Sequence, residues 1–161
     1  MPRADFRFAY RRRVRYAEVD AQAVVYFAHY LEWADVGVVE YWRAAGLYAL
    51  GPVAGGALEF HVARAEIVYC APMQLDEEID ICVATRAVGN SSIAMACELH
   101  GLAAGPGADD LRARIELVQV HVAEARGRPE RVPEKIVALL DAMEGRPLRS
   151  AAAAATTGGS A

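Results

Sequence analysis

One aspartate in the first quarter of the chain stands where a carboxylate could perform acyl-transfer chemistry. Asp20 lies in a short polar loop, AEVDAQA, between a predicted strand and a long predicted helix. Backbone N–H groups in the first turn of a helix are unpaired donors, so those near Val25, Tyr26 and Phe27 could hold a carbonyl oxygen as it becomes negative. A nearby carboxylate can attack the carbonyl carbon or activate a water molecule. Together these parts make a minimal acyl-transfer site that needs no metal.

A second interpretation gives Asp20 only a structural role. Asp is a favoured residue before a helix, where its side chain caps the first-turn N–H groups, and on spacing alone this is the more common role. Two neighbours are secondary candidates. Glu18 could raise the pKa of Asp20 through like charge, although a solvated loop carboxylate is more common. His29 could bind a substrate or a neighbouring loop, although a structural role is again more common.

The elements around this loop follow from the apolar periodicity of the chain. The pattern predicts strands at 6–16, 58–70, 78–87, 91–102 and 112–124, a helix at 24–46, and a second helix from Pro133 to about Met143. The connections VGNSS and GLAAGPGADD are too short for helical crossovers, so the strands they join are predicted to be adjacent and antiparallel. The long helix is apolar on more than one side, which predicts a central helix. One helix on one sheet is an α+β arrangement whose remaining apolar surface predicts a homo-oligomer, most simply with two-fold symmetry.

Composition narrows the class of protein. A chain of 161 residues with 55% apolar residues is typical of one folded domain, predicted here at 1–145. Residues 146–161, RPLRSAAAAATTGGSA, are low in complexity and predicted to be disordered, so their removal is expected to leave assembly and turnover unchanged. The net charge of −4 does not favour nucleic-acid binding.

Neither a membrane-spanning apolar stretch nor a signal peptide is visible, which predicts a cytoplasmic protein that does not bind membranes. The odd count of cysteines, without CxxC spacing, agrees with this compartment. Cys70, Cys82 and Cys97 lie in strand-like apolar stretches and are predicted to be buried, reduced thiols.

The segment around Asp20 also resembles a known signature. Residues 15–33, RYAEVDAQAVVYFAHYLEW, are similar to the signature of the 4-hydroxybenzoyl-CoA thioesterase-like family of acyl-CoA thioesterases, which are hot-dog-fold proteins. The matching positions are Asp20, Val24, Val25, Tyr26, Phe27, Tyr30 and Trp33. The resemblance continues through Gly46, Val62–Ile81, Asn90–Ile93 and Arg128–Ile136, and covers roughly residues 8 to 143.

This resemblance implies a hot-dog fold, in which an antiparallel five-stranded sheet wraps around a long central helix. It also implies a homodimer or homotetramer and an acyl-CoA thioesterase that needs no metal and no cofactor, coenzyme A being part of the substrate. Asp20 would be the nucleophile or the general base, and the backbone N–H of Phe27 would point at the thioester carbonyl. Two positions depart from frequent family patterns: Ala23 stands where many members have Gly, and Phe27 where some have His.

Two other functions remain open on this fold. One is a non-catalytic acyl-CoA-binding protein, which the intact Asp20 disfavours. The other is a hot-dog hydratase or dehydratase. Such enzymes usually carry Asp and His about five residues apart, whereas His29 follows Asp20 by nine.

Several residues are candidates for holding the substrate. Tyr26 and His29 lie near the loop, and Asn90 and Ser91 lie in the VGNSS turn, where turn chemistry explains them equally well. A basic cluster suits the phosphates of coenzyme A, although a solvated face is as common, and it comprises Arg126, Arg128, Arg131 and Lys135. The stretch Arg11–Arg15 could also bind phosphate, but a charged strand edge is more common. The histidines His61, His100 and His121 lack metal-binding spacing, so no metal site is predicted.

Overall fold

The computed structural model describes residues 3–51, 58–102, 105, 109–123 and 127–149. Its strands are β1 (Phe8–Arg13), β2 (Phe60–Tyr69), β3 (Glu78–Val88), β4 (Ser92–Gly101) and β5 (Leu111–His121). Its helices are α1 (His29–Ala44) and α2 (Glu134–Glu144), and short 3-10 turns lie at Arg3–Asp5, Tyr16–Glu18 and Leu47–Leu50. Every predicted strand and helix is present. Only one end is displaced by more than three residues, the start of the first helix.

The five strands form one sheet in the order β1-β3-β4-β5-β2. Strand β1 pairs antiparallel with β3, with Phe8 opposite Val83 and Arg13 opposite Glu78. The predicted adjacency of β3, β4 and β5 is confirmed. Strand β2 lies at the edge beside β5, so the α+β class with a five-stranded antiparallel sheet is also confirmed.

The chain divides into two compact units, each built from several segments. The first unit comprises Met1–Tyr41, Glu66–Ala84 and Ala96–Glu116. The second comprises Trp42–Ala65, Thr85–Met95 and Leu117–Ala161. The boundaries fall inside α1 and inside β2 to β5, so the same elements supply residues to both units.

In the first unit, α1 lies directly against β3 because position 37 is a glycine. A Cβ on Gly37 would overlap Cγ2 of Ile81 and lie 3.1 Å from Cγ2 of Val83. One side of the helix is buried, at Tyr30, Trp33, Ala34, Gly37, Val38 and Tyr41. The other side of α1 is exposed in this single chain, for example at Leu31 and Glu32, so the expected burial on more than one side is not met here.

The opposite face of β3 is covered as well. Phe6, Cys82, Ala84 and Ala96 form a small buried cluster there. Next to it, the Asp80 carboxylate is only 2% exposed and accepts hydrogen bonds from Nε of Arg3 at 3.0 Å and Nε of Arg11 at 2.9 Å. Burial alone would raise the pKa of Asp80, but the bonds from Arg11 and Arg3 outweigh it and hold this pKa below its ordinary value.

The three cysteines differ in their surroundings. Cys82 and Cys97 are fully buried, as predicted, and burial raises the pKa of Cys82 to about 12 and that of Cys97 further. The prediction is wrong for Cys70, which is exposed. Cys70 is the last residue of the predicted strand 58–70, but the observed strand ends one residue earlier, on the exposed sheet edge.

In the second unit, the chain after α2 folds back against its own neighbours. Nη2 of Arg146 donates to the carbonyl oxygens of Thr85 at 3.3 Å and Arg86 at 3.0 Å. The backbone N–H of Leu148 donates to Oδ1 of Asp141 at 2.9 Å, and the Leu148 side chain is buried. Residues 146–149 therefore do not fit the predicted disordered tail, and the rest of that tail lies outside the described residues.

No helix within the described ranges is long and apolar enough to cross a membrane. The cytoplasmic location stays a prediction.

Candidate active site

The Asp20 loop is a small hairpin within the first unit. The backbone N–H of Asp20 donates to the carbonyl oxygen of Val24 at 2.9 Å, and Val19 pairs with Val25 in an antiparallel bridge. The N–H of Tyr26 then donates to the carbonyl oxygen of Glu18 at 2.9 Å. Asp20 thus lies in the first of the two paired segments of the hairpin, and Phe27 directly follows the second.

The Asp20 carboxylate bonds within its own turn. Its Oδ1 accepts the backbone N–H of Gln22 at 2.8 Å, which is an Asx-turn. Helix α1 begins only at His29, nine residues later, so Asp20 does not cap it. Oδ2 of Asp20 has no hydrogen-bond partner in the part of the chain that the structure describes. One carboxylate oxygen is therefore held in place and the other is available to a substrate or a water molecule.

The turn of this hairpin contains a left-handed residue. Ala23 has φ of 60°, a conformation that costs an L-residue with a Cβ on the order of 1–2 kcal/mol. Glycine adopts it without this cost, which explains why glycine is frequent at the matching position of the family that the sequence resembles.

Helix α1 begins at His29 rather than at the predicted residue 24. This later start changes which backbone N–H groups are left without an acceptor. The N–H of Val25 is bonded to the carbonyl oxygen of Met73 at 2.9 Å, and that of Tyr26 to Glu18, so neither is an unpaired first-turn donor. The N–H groups of Phe27 and Ala28 have no hydrogen-bond acceptor among the described residues. The following turn is closed by the His29 N–H, which donates to the Tyr26 carbonyl oxygen at 2.9 Å.

Two consecutive free donors at the entrance to a helix can hold a developing oxyanion. The Phe27 donor was predicted from the resemblance. The Ala28 donor was missed, because the helix was predicted to start five residues too early.

A cavity of about 320 Å³ opens beside Phe27. Its lining is mostly apolar and aromatic, and consists of Val25, Phe27, Tyr30, Tyr69, Cys70, Ala71 and Pro72. The Tyr69 hydroxyl donates to the Phe27 carbonyl oxygen at 3.1 Å, and the rings of Tyr30 and Tyr69 meet edge to face at 5.0 Å. Burial raises the pKa of Tyr30, so this phenol stays neutral. Asp20 is not among the lining residues.

The predicted binding residues Tyr26 and His29 lie on either side of Phe27 in the chain and differ in their surroundings. The Tyr26 ring is 4.5 Å from the Phe27 ring, and both side chains are exposed. Nδ1 of His29 lies 2.6 Å from Oε2 of Glu32, one turn further along α1. His29 therefore already has a local partner, which agrees with its structural interpretation.

Glu18 is not the solvated loop carboxylate that was expected. Its Oε1 accepts hydrogen bonds from Nη2 of Arg12 and from Nε1 of Trp33, and its side chain is largely buried. The Arg12 guanidinium therefore compensates the negative charge of Glu18.

Three of the predicted substrate-binding residues of the second unit, Asn90, Ser91 and Arg131, take part in hydrogen bonds around one turn. Nη1 of Arg131 donates to Oδ1 of Asn90 at 3.2 Å, and Nη2 of Arg131 donates to Glu134 at 2.9 Å. The Ser91 carbonyl oxygen accepts the His121 N–H at 2.8 Å. Arg128 is exposed and has no partner among the described residues. Arg126, predicted to belong to the same basic cluster, lies outside those residues.

No group of three or more His, Cys, Asp or Glu side chains that could hold a metal occurs within the described ranges. His61 lies 3.1 Å from Glu59, and His100 lies 3.1 Å from Glu98. Nδ1 of His100 also lies 3.3 Å from Oδ1 of Asp109, so its two ring nitrogens face two different carboxylates rather than converging on one metal position.

Comparison with known families gives the class of protein. Residues 14–140, well over half of the chain, match the profile of the Thioesterase-like superfamily. The chain belongs to this superfamily. A comparison with curated proteins gives no match.

Solved structures of several thioesterases share the fold. A thioesterase from Thermus thermophilus, crystallised with coenzyme A and zinc, is 26% identical with a TM-score of 0.72, and the match covers 89% of this chain and 98% of that one. A 4-hydroxybenzoyl-CoA thioesterase variant in complex with 4-hydroxybenzoyl-CoA is 17% identical with a TM-score of 0.71, covering 83% and 97%. A 1,4-dihydroxy-2-naphthoyl-CoA thioesterase from Synechocystis is 17% identical with a TM-score of 0.67, covering 83% and 94%. The predicted hot-dog fold and the predicted family resemblance are both confirmed.

Proposed function

We propose that this member of the thioesterase-like superfamily hydrolyses an acyl-CoA thioester to the free acid and coenzyme A, with Asp20 as the catalytic carboxylate. The observation that carries the proposal is the pair of N–H groups at Phe27 and Ala28, which have no acceptor among the described residues and directly follow the hairpin that holds Asp20. Acyl transfer needs both parts, a donor for the oxyanion and a carboxylate for the attack. The similar structures that contain coenzyme A or a CoA thioester agree with this substrate class.

The reaction balances with water as the only co-reactant. The Phe27 and Ala28 N–H groups hold the carbonyl oxygen as it becomes negative. Asp20 either takes a proton from the attacking water or attacks the carbonyl carbon itself, forming an anhydride that water then hydrolyses. In both routes the carbon–sulfur bond breaks and the thiolate of coenzyme A leaves and is protonated. We propose that no metal and no further cofactor takes part.

The cavity beside Phe27 is the proposed acyl site. Its volume of about 320 Å³ lies at the lower end of the range for small-molecule sites, roughly 300–1,000 Å³. Its aromatic lining suits both an aromatic acyl group and a short aliphatic one, because each can pack against the rings of Tyr30 and Tyr69.

The function is tested by measuring free thiol release from a panel of aromatic and aliphatic acyl-CoA substrates. Release with at least one of them supports the proposal. Binding without thiol release would instead favour the acyl-CoA-binding protein, and hydration of an enoyl-CoA would favour the hydratase. Adding a chelator during the assay tests the expected independence from a metal, since activity should be unchanged.

Assembly as a homodimer is expected, because β2 is the last strand of the sheet within the described residues and carries exposed apolar side chains. Val62 is 57% exposed and Val68 is 50% exposed, both on this edge strand. An exposed apolar edge strand is a template for pairing with another chain, and a second copy is the simplest partner. Light scattering at micromolar concentration should give a dimer or a tetramer. A monomer at this concentration would contradict the expectation.

Arg128 is the best placed of the predicted phosphate-binding residues, because its guanidinium is exposed and has no partner among the described residues. If it holds a phosphate of coenzyme A, Arg128→Ala should raise KM several-fold with little change in kcat, which is the pattern of uniformly lost binding energy. The effect should shrink for an acyl-pantetheine substrate, which lacks the nucleotide phosphates. Equal effects on both substrates would show that Arg128 contacts no phosphate.

A further inference from the structure

One charged side chain lies on the face of β1 that packs toward α1. Arg12 is opposite Ile79 in the antiparallel register, two positions after Tyr10, which is opposite Ile81. Residues directly opposite each other in a sheet point to the same face. The Phe8 ring identifies that face as the helix side, since it meets the Tyr41 ring of α1 at 5.6 Å. Burying a charge at position 12, where an apolar residue would pack equally well, costs free energy unless the charge has a partner.

The partner is a group formed by Arg12, Glu18 and Trp33, here called the clamp. Oε1 of Glu18 accepts hydrogen bonds from Nη2 of Arg12 and, at 3.3 Å, from Nε1 of Trp33. The Arg12 guanidinium carbon lies 4.1 Å from the centroid of the Trp33 ring, a cation–π contact. Trp33 is fully buried, and the side chains of Arg12 and Glu18 are 18% and 12% exposed. The clamp thus ties β1 and α1 to one loop carboxylate.

Glu18 is also hydrogen-bonded to residues at the base of the hairpin. Its second oxygen, Oε2, accepts the Arg15 N–H at 2.8 Å, and its backbone carbonyl oxygen accepts the Tyr26 N–H at 2.9 Å. The Val19–Val25 bridge and the Asp20-to-Val24 hydrogen bond follow immediately. Glu18 is therefore the residue at which the base of the hairpin is fixed to the sheet and the helix.

We propose that Glu18, held by Arg12 and Trp33, is a positioning residue that sets where the Asp20 carboxylate lies relative to the Phe27 and Ala28 N–H groups. The proposal rests on the proposed function of this hairpin as an acyl-transfer site. Glu18 does not reach the substrate and takes part in no bond-making step. Asp20 follows Glu18 in the chain, and the Phe27 and Ala28 donors follow Tyr26, whose N–H is bonded to Glu18. A shift of Glu18 therefore moves the carboxylate relative to the donors, and a misplacement of about 1 Å can cost roughly 10²-fold in rate.

The kinetic test compares Glu18→Ala, Glu18→Gln and Trp33→Phe with the wild-type protein. In Glu18→Gln the amide oxygen can still accept hydrogen bonds from Arg12 and Trp33, but the NH₂ group cannot accept the Arg15 N–H. In Trp33→Phe an aromatic ring remains, but the indole N–H is lost. We expect kcat to fall roughly 10²-fold for Glu18→Ala and about 10-fold for each conservative variant, with KM within about threefold. Glu78→Gln, which removes a partly exposed carboxylate paired with Arg13 on the same strand pair, is the matched control and should leave kcat unchanged.

A double-mutant cycle separates positioning from general stability. If Glu18 acts through Asp20, Glu18→Gln should lower kcat much less in an Asp20→Asn background than in the wild-type background. Equal fold losses in both backgrounds would overturn the proposal, as would an unchanged kcat in Glu18→Ala.

A second readout does not depend on activity. Hydrogen–deuterium exchange of the segment 16–28 should become about tenfold faster or more in Glu18→Gln at a pH where the protein is folded, while a peptide from β4 is unchanged. Unchanged exchange in segment 16–28 would overturn the clamp even if the protein hydrolysed no acyl-CoA. Faster exchange in a protein that releases no thiol would instead leave the clamp supported and the proposed function refuted.

Discussion

Replacing Asp20 by asparagine is expected to lower kcat by roughly 10²-fold or more while the melting temperature stays within a few degrees. Asparagine keeps the Oδ1 acceptor that binds the Gln22 N–H, so the Asx-turn of the hairpin survives. It cannot attack a carbonyl carbon or take a proton from water. The expected loss is therefore chemical rather than conformational.

Substrate binding should persist in Asp20→Asn, because the neutral amide also removes a negative charge near the thioester. Thiol release under single-turnover conditions and a melting curve check both parts of this expectation. Asp35→Asn, on an exposed position of α1, is the matched control and should change neither. An Asp20→Asn protein that keeps nearly full thiol release, or that unfolds, would show that Asp20 is not the catalytic carboxylate.

The order of the elements was predictable because the apolar residues of this chain recur with the period of a strand or of a helix. The alternation of Ile79, Ile81 and Val83 marks β3, the helical spacing from Tyr30 to Tyr41 marks α1, and both predicted elements are present. The position of β2 at the edge beside β5 was not predictable, since alternation along a strand carries no information about its neighbours.

The start of α1 shows why the site was predicted only in part. Val24 and Val25 continue the apolar pattern of the helix, but the Val25 N–H is taken by Met73, a residue far along the chain. Such a tertiary bond competes with the helix and leaves no trace in local propensity. As a result, the sequence indicated the N–H groups of Val25, Tyr26 and Phe27 as oxyanion donors. In the structure the available donors are those of Phe27 and Ala28.

The clamp has one signal in the sequence. Arg12 is the single charge on an otherwise apolar parity that runs from Phe6 to Tyr16, and a charge in such a place requires a buried partner. Its partner Glu18 looked like a loop carboxylate because it lies in the short polar segment that contains Asp20. The spacing between Arg12 and Glu18 becomes meaningful only because the loop turns back toward the strand.

The end of the chain gives the second large prediction, and it reverses the expectation drawn from composition. Leu148 is only 4% exposed, and its backbone carbonyl oxygen accepts the N–H of Val88 at 3.1 Å. Arg149 adds a hydrogen bond from Nη2 to the Val132 carbonyl oxygen at 2.9 Å, next to α2. One buried leucine within a low-complexity segment is easily overlooked, yet loss of a buried leucine side chain costs about 2–5 kcal/mol.

Deleting residues 146–161 should therefore lower the melting temperature by roughly 6–12 °C, as expected for a loss of about 3 kcal/mol in a domain of this size. Deleting only residues 150–161, which are Ser, Ala, Thr and Gly alone, is the matched control and should leave the melting temperature and thiol release unchanged. The single change Leu148→Ala should reproduce most of the effect of the longer deletion, since it removes the buried side chain and keeps the backbone bonds. Equal melting temperatures for the two deletions would mean that the contacts of Arg146, Leu148 and Arg149 contribute nothing to the folded state.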